Sequence, residues 1–483
     1  MDQEASTYIA LIAQGRFEEA YKIIIKDNPL PSVCSRVCHH PCESVCRAGE
    51  AGEPIAIRSL KRFILDWALA NNLKPKIVRP EQTREKIAII GAGPAGLTAG
   101  YYLSLKGFQV TIFDSLPLPG GWLIKGIPHH RLPKEILQRD MENIIASGVE
   151  IRTKMTLGRD FSLEELLAQG YKAVFLATGA HKSIKLGLPG EEAEGVIQAT
   201  ELLKKINLGE EIKIKGKVAI IGGGNAAIDA ARVAIRSKEC QEVIIFYRRT
   251  INEMPAFSEE IEAALEEGIQ IQFLTAPKRI IVENGKVKAM ELIRMKLGDL
   301  DASGRRRPIP IEGSEFMVEV DMVIPAIGER PDLSYLQNYG AIEIDKGETI
   351  LVDRETLMTS KPGVFAGGDV VTGPATVVEA MAAGKKAAQS IERYLESTLN
   401  EPIEYQLKRP SIWVPPAKLL EEELEKAHRA RMPKLSLKMR KTSFKEVELG
   451  FSEKQAILEA KRCLRCDLET SEAKEALSQL KGD

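Results

Sequence analysis

Apolar positions up to about residue 80 recur every three to four residues instead of alternating. YIALIAQ, FEEAYKIIIKD and IRSLKRFILDWALANN each carry a one-sided apolar stripe, so this stretch is expected to form a small helical module. From Lys86 the pattern changes. A short β-rich run, KIAII, leads into a glycine turn, a helix-like stretch TAGYYLSLKG and the strand QVTIFD, which together read as one βαβ unit. The same order returns at Lys217, where KVAIIGGGNAAIDAARVAIR is followed by EVIIFYRR, so two such units lie about 130 residues apart. AVFLATGA and MVIPAIGERPD read as strands ending in small-residue turns, suited to chain crossings between the two units. Beyond about residue 400 the run KRPSIWVPPAKLLEEELEKAHRARMPK predicts a linker with one solvated helix. SEKQAILEAKRCLRC then predicts a short helix. The expected divisions are 1–80 for the helical module, 81–200 and 326–400 for one nucleotide domain, 201–325 for a second, and 401–483 for the linker and C-terminal helix.

The chain's 483 residues are about three times a typical domain of roughly 150, which agrees with several cores. Lys and Arg number 67 against 68 Asp and Glu, a formal charge of -1, so nucleic acid is not expected as a partner. No stretch approaches the roughly 18 to 20 apolar residues of a membrane span. The opening MDQEAST is acidic and polar where a secretory signal would be basic and then apolar, so a cytoplasmic location is expected. Seven cysteines are too few for a disulfide scaffold, and six of them fall in two tight groups, which points to metal or redox chemistry.

In KIAIIGAGPAG, Gly91, Gly93 and Gly96 form G-x-G-x-x-G between a strand and a helix. Gly91 permits the tight turn, Gly93 lets the backbone approach a pyrophosphate, and Gly96 lets the helix pack closely. Asp114 ends the next strand, where a carboxylate can bind a ribose hydroxyl pair. The second turn offers Gly222, Gly224 and Ala227, but its following strand ends in Arg248 and Arg249 where an NAD site would carry an acid. Guanidinium groups there pair with a 2′-phosphate, which favours NADPH over NADH. Two such units suggest one tightly held cofactor and one exchangeable one, as a flavoenzyme fed by a nicotinamide needs. VFAGGDVV, with Gly368 and Asp369, precedes a small-residue helix whose N-terminus can pack against the flavin.

Cys34, Cys38, Cys42 and Cys46 recur every fourth residue, and Pro41 interrupts any single long helix, so these thiolates can turn toward a common centre. Soft thiolates in fours suit an iron–sulfur cluster or a tetrahedral zinc. Cys463 and Cys466 form C-x-x-C, a spacing that lets two thiolates bind one metal, whereas Cys240 reads as a packed thiol.

CSRVCHHPCESVC, GAGPAGLTAG, PGGWLIKGIPHHRLPKEIL, IIGGGNAAIDAAR, YRRTINEMPA, AIGERPD and FAGGDVVTGPATVVEAMAAGK together resemble the glutamate synthase small subunit-like flavoprotein family. That family includes the N-terminal half of dihydropyrimidine dehydrogenase and the large subunit of the NADH-dependent ferredoxin:NADP oxidoreductase. The resemblance implies an α/β fold with two Rossmann-like domains, the NADP(H) domain inserted in the FAD domain, beside a helical iron–sulfur module. It implies that Gly91, Gly93, Gly96, Asp114, Gly121, Arg131, Gly368, Asp369 and Thr376 hold FAD. It also implies that Gly222, Gly224, Asn225, Arg248 and Arg249 hold NADP(H). ELGFSEKQAILEAKRCLRC resembles a segment that family members carry ahead of the helical module, here placed near residue 450. Some relatives supply a Gln or Glu ligand where Lys61 stands, and a lysine does not suit that role. Eight thiolates are needed for two fully cysteinyl [4Fe-4S] clusters, and six clustered cysteines are present, so one cluster is expected and a second is left open.

Three arrangements follow. Cys34, Cys38, Cys42 and Cys46 hold one cluster while the C-terminal pair serves a site completed by a partner; or Cys463 and Cys466 fold back to join Cys46 and one neighbour; or the pair binds zinc with His39 or His40. The first is preferred. The expected reaction is hydride exchange between NADPH and flavin, then electron transfer through [4Fe-4S] to a larger redox subunit or ferredoxin, in a transhydrogenase or electron-bifurcating complex. No side-chain acid or nucleophile is required, so no catalytic residue is assigned. Thioredoxin-reductase-like chemistry is disfavoured because neither nucleotide unit carries a redox C-x-x-C. A glutamate synthase small subunit and a non-catalytic scaffold remain as alternatives.

Overall fold

A computed structural model describes residues 3–479 except 51, 78, 337–341, 400, 402–409, 418, 420–422 and 424–426. The chain opens with helices α1 (Ala5–Ala13), α2 (Phe17–Lys26), α3 (Pro31–Val37), α4 (Pro41–Ser44) and α5 (Ile57–Ala70). Pro31 and Pro41 each stand in the first turn of their helix, where the missing N–H costs nothing, and left-handed His40 separates the two. The break expected at Pro41 is therefore present.

The first nucleotide domain is a parallel sheet in the order β15-β4-β1-β2-β3, built from β1 (Lys86–Ile90), β2 (Gln109–Asp114), β3 (Glu150–Thr153), β4 (Tyr171–Leu176) and β15 (Val364–Ala366). Helix α6 (Pro94–Ser104) joins β1 to β2. Alternate residues of β1 serve opposite cores, Ile87 and Ile89 one face and Ala88 and Ile90 the other, as a sheet covered on both sides requires. The second domain repeats this logic with β6 (Lys215–Ile221), β7 (Glu239–Phe246), β8 (Gln270–Gln272) and β13 (Met322–Pro325), ordered β13-β6-β7-β8. An antiparallel sheet of β9 (Thr275–Glu283), β10 (Lys286–Leu300), β11 (Arg306–Pro310) and β12 (Phe316–Glu319) packs beside it.

Two short strands, β5 (Lys182–Ser183) and β14 (Glu329–Arg330), pair antiparallel where the chain leaves and re-enters the first domain. This crossing precedes the boundary expected at residue 200, because Leu186, Ala193 and Val196 already pack in the core of the second domain.

The C-terminal region departs more from expectation. The solvated helix expected within KRPSIWVPPAKLLEEELEKAHRARMPK falls partly outside the described residues. The helix Glu453–Lys461, capped by Ser452, does form, but Phe451, Ala456 and Ala460 share one buried core with Tyr8, Ile12 and Leu60 of the first helices. This helix has one apolar face, and the amino-terminal module is what covers it. The Glu459 carboxylate is buried there and accepts from Ala56 N and Ala430 N, both at 2.8 Å. Residues 432–451 form a strap across the domains. Arg440 pairs with Glu266 and Glu267 of the second domain, Glu446 with Arg36 and Arg62, and Glu448 with Arg58.

Candidate dinucleotide cavity and cysteine site

A continuous cavity of about 1540 Å³ runs between the two glycine turns. Every residue named above for FAD or NADP(H) lines it except Gly96, which lies beneath the first turn. Gly91 has φ +110° and donates its N–H to Phe113 O at 2.7 Å; a Cβ there would stand 2.3 Å from Ala177 O. Gly222 repeats this at φ +143°, with a Cβ position 2.1 Å from Ala326 O. Each turn is thus squeezed against the next parallel strand, and the helix behind it directs unpaired amides into the cavity. This fits two dinucleotide pyrophosphates.

Asp114 ends β2 with its carboxylate locked by Ala92 N at 2.6 Å and Leu116 N at 2.7 Å. Asp369 opens the short helix Asp369–Thr372, and burial pushes its carboxyl up to about 6. Thr376 caps the long helix Val377–Leu395 in a reciprocal box with Glu379. Gly121 brings its backbone against Gly93.

Several charged residues have partners that spacing alone could not reveal. Arg131 donates to Asp229 at 2.7–2.8 Å and pairs with Glu260 at 2.9 Å, so its guanidinium is neutralised by the second domain and ties the two together. Asn225 Oδ1 accepts from Phe257 N at 3.0 Å. Arg249 is buried and ion-paired to Asp301 at 2.6 Å, whereas Arg248 is exposed to the cavity. Lys125 and Arg305 are among the lining residues that were not expected from sequence. Lys125 lies buried over the Trp122 ring, 4.8 Å from its centroid, and burial pulls its ammonium down to about 8. Its only sequence signal is a charge inside the apolar run WLIKG. Arg305 comes from the β10–β11 turn.

All seven cysteines are free. Cys34 is buried with its Sγ 3.4 Å from Met381 Sδ, in the core of the first nucleotide domain. Tyr8 is fully buried and its phenol is pushed up by burial, with the charges of Cys42, Glu43, Cys38 and Cys463 adding to it. Cys46 and Cys463 pack on the same helical core, and Arg47 reaches across to Glu469 at 2.8 Å, beside Cys466. The C-terminal pair therefore folds back onto the amino-terminal group. Among the described residues no three His, Cys, Asp or Glu side chains converge at metal-holding distance. The chemistry of the thiols nonetheless fits a thiolate-held cluster. Val37 lines the large cavity, and Cys38 lines a second cavity of about 310 Å³ that shares Val37, Arg131 and Phe257 as walls.

The pyridine nucleotide-disulphide oxidoreductase family model matches residues 85–384, and the model for dihydropyrimidine dehydrogenase domain II, 4Fe-4S cluster, matches residues 1–73. The NADP(+)-dependent formate dehydrogenase subunit beta of Moorella thermoacetica is 43% identical over 95% of this chain and 68% of its own length. The glutamate synthase [NADPH] small chain of Escherichia coli is 37% identical over 80% of this chain and 86% of its own. Mycobacterium tuberculosis FprA in complex with NADPH superposes with a TM-score of 0.56 at 21% identity, covering 65% of this chain and 85% of that one, a likeness of fold.

Proposed function

The chain belongs to the pyridine nucleotide-disulphide oxidoreductase family, and from that premise we propose that it passes electrons between NADP(H) and a partner redox subunit or ferredoxin. It is an NADP(H)-dependent oxidoreductase subunit that uses FAD and a [4Fe-4S] cluster. One observation carries the electron path: a single cavity holds both glycine turns, and its wall at Val37 adjoins Cys38. Bound FAD converts the hydride's electron pair into single electrons that an iron–sulfur centre can accept.

The chain's own residues bind and orient. The turn at Gly91, Gly93 and Gly96 with Asp114 takes the flavin dinucleotide, with Gly121, Gly368, Asp369 and Thr376 lining its path. The turn at Gly222, Gly224 and Asn225 takes the nicotinamide dinucleotide, and Arg248 faces its 2′-phosphate. Arg131, held by Asp229 and Glu260, keeps the domains in register so that the two rings can meet. Cys38, Cys42, Cys46, Cys463 and Cys466 are the thiolates we assign to cluster ligation, with Cys34 turned toward Met381. The fold-back of the C-terminal pair favours the arrangement in which it shares a site with Cys46. Among the described residues no helix is long and apolar enough to cross a membrane. Relatives named as beta subunits support a hetero-oligomeric assembly; that it is of the transhydrogenase or electron-bifurcating kind is our reading of two nucleotide turns beside a cysteine site.

An anaerobic titration of the purified protein with NADPH, and separately NADH, tests this reading. NADPH is expected to bleach the flavin's visible absorption while an EPR signal of reduced cluster grows. In Cys38→Ala the flavin is expected to bleach as before and the cluster signal to fall by about tenfold or more. A flavin that no nucleotide reduces would leave a scaffold subunit as the reading.

A further inference from the structure

We infer that Arg305 joins Arg248 in holding the 2′-phosphate of NADP(H), and that Arg249 pins the turn carrying Arg305 instead of touching the phosphate. The inference rests on the NADP(H) reading of the second glycine turn.

Arg248 and Arg305 both line the cavity although 57 residues separate them in sequence. Among the described residues neither guanidinium has a carboxylate at ion-pair distance, and the charge of Arg305 adds to burial and Arg249 in pulling Arg248 down. Asp301 acts on Arg248 only through space and is ion-paired to Arg249, so the like charges of Arg248 and Arg305 are only partly offset, and a dianionic phosphate relieves the remaining repulsion with charge-assisted bonds.

Arg249 has a different environment. Its Nη2 bonds Asp301 Oδ2 at 2.6 Å and its Nε donates to Arg306 O at 2.7 Å, and its side chain is 4% exposed. The other oxygen of Asp301 organises the turn, accepting from Ser303 N at 2.9 Å and Arg305 N at 3.3 Å. Asp301 N in turn donates to Arg305 O at 2.7 Å, and Arg305 Nε donates to Ser303 Oγ at 3.0 Å. One carboxylate thus fastens Arg249 on β7's end to the loop that presents Arg305. A guanidinium with its fork already spent on Asp301 and a carbonyl has little left for a ligand.

The test uses the FAD-loaded holoprotein and compares binding of 2′,5′-ADP with 5′-AMP by calorimetry, alongside flavin reduction by NADPH and NADH. Equal FAD content and melting temperature serve as the folding control. Arg305→Ala and Arg305→Gln are expected to weaken 2′,5′-ADP by about 10- to 100-fold, the worth of a hydrogen bond to a charged group, while 5′-AMP and NADH change by less than about twofold. Arg248→Ala is expected to act alike. If Arg248→Ala collapses the preference and both Arg305 variants keep it, the Arg305 assignment falls and the NADP(H) reading stands. If no variant alters the preference, the reading of the turn falls with it. Asp301→Asn separates the two roles of Arg249. Loss of the pin is expected to weaken 2′,5′-ADP by about fivefold or more. Tighter or unchanged binding would mean that Arg249, once freed, is itself a phosphate ligand, and would overturn the pin.

Discussion

Gly91→Ala is expected to yield a chain that no longer retains FAD. The added methyl would sit 2.3 Å from Ala177 O, inside the closest approach real Cβ atoms make, and the backbone at φ +110° is one that side-chain-bearing residues rarely adopt. Neither neighbour can yield cheaply. Ala177 follows β4 and donates its N–H to Ile90 O at 2.8 Å, so moving it breaks the pairing of β1 with β4. Backbone strain and overpacking each cost on the order of 1–3 kcal/mol, together about 2–6 kcal/mol at the point where the pyrophosphate must approach. The flavin-to-protein ratio after gel filtration, with the NADPH-driven bleaching rate, measures the effect. A loss of at least tenfold in retained flavin is expected, and a variant that keeps a full complement would remove the first glycine turn from the FAD site.

Glu267→Gln is expected to produce the largest loss of stability without touching the cavity. Its side chain has no exposure and receives Arg232 at 2.8 Å, Arg236 at 2.8 Å and Arg440 at 3.1 Å. An amide keeps the shape but leaves three buried guanidinium groups short of a counter-charge, and breaking a buried ion pair in this way costs about 3–5 kcal/mol. Urea unfolding reads that cost. Arg440 belongs to the 432–451 strap, so trypsin should cleave the variant's strap at least severalfold faster.

The same carboxylate carries a pH signature. Burial raises its pKa, but bonds from Arg232 and Arg236 outweigh burial and hold it down at about 2, against an ordinary 4.5. A carboxyl whose folded pKa is depressed contributes stability above its unfolded pKa. That contribution is lost as pH falls from about 4.5 through about 2. The stability difference between wild type and Glu267→Gln should therefore shrink across that window, and a difference that persists at pH 2 would argue against an ionised Glu267.

Much of the fold was legible because it is written locally. The strands KIAII and KVAII, the turns after them and the helices beyond are specified by residues within about 30 positions of one another, and the glycines stand where only a missing Cβ allows strand, turn and helix to meet. The same holds for α4, which begins where Pro41 can begin a helix. Ligand chemistry was legible to the same depth: thiolates in groups, an acid at the end of β2, and arginines at the end of β7.

Charge pairing was not legible, because a buried ion pair depends on which groups lose water together. Spacing made Arg248 and Arg249 equivalent, yet Asp301 claims one and leaves the other facing the cavity. Arg131 stood beside a flavin motif, and Asp229 and Glu260 of the inserted domain neutralise it. Cys34 kept the rhythm of its group, but its place on α3 turns its sulfur toward Met381. The helix expected in SEKQAILEAKRCLRC was legible as a helix, but not the surface it covers: Phe451 and Ala456 are buried against the first helices. Local sequence thus determined the elements, the two nucleotide turns and the donor chemistry, since short-range sterics and hydrogen bonding suffice for them. Only the tertiary structure decided which charges are spent on one another, where the C-terminal cysteines return and which arginine is left for a phosphate, because desolvation acts on groups brought together across hundreds of residues.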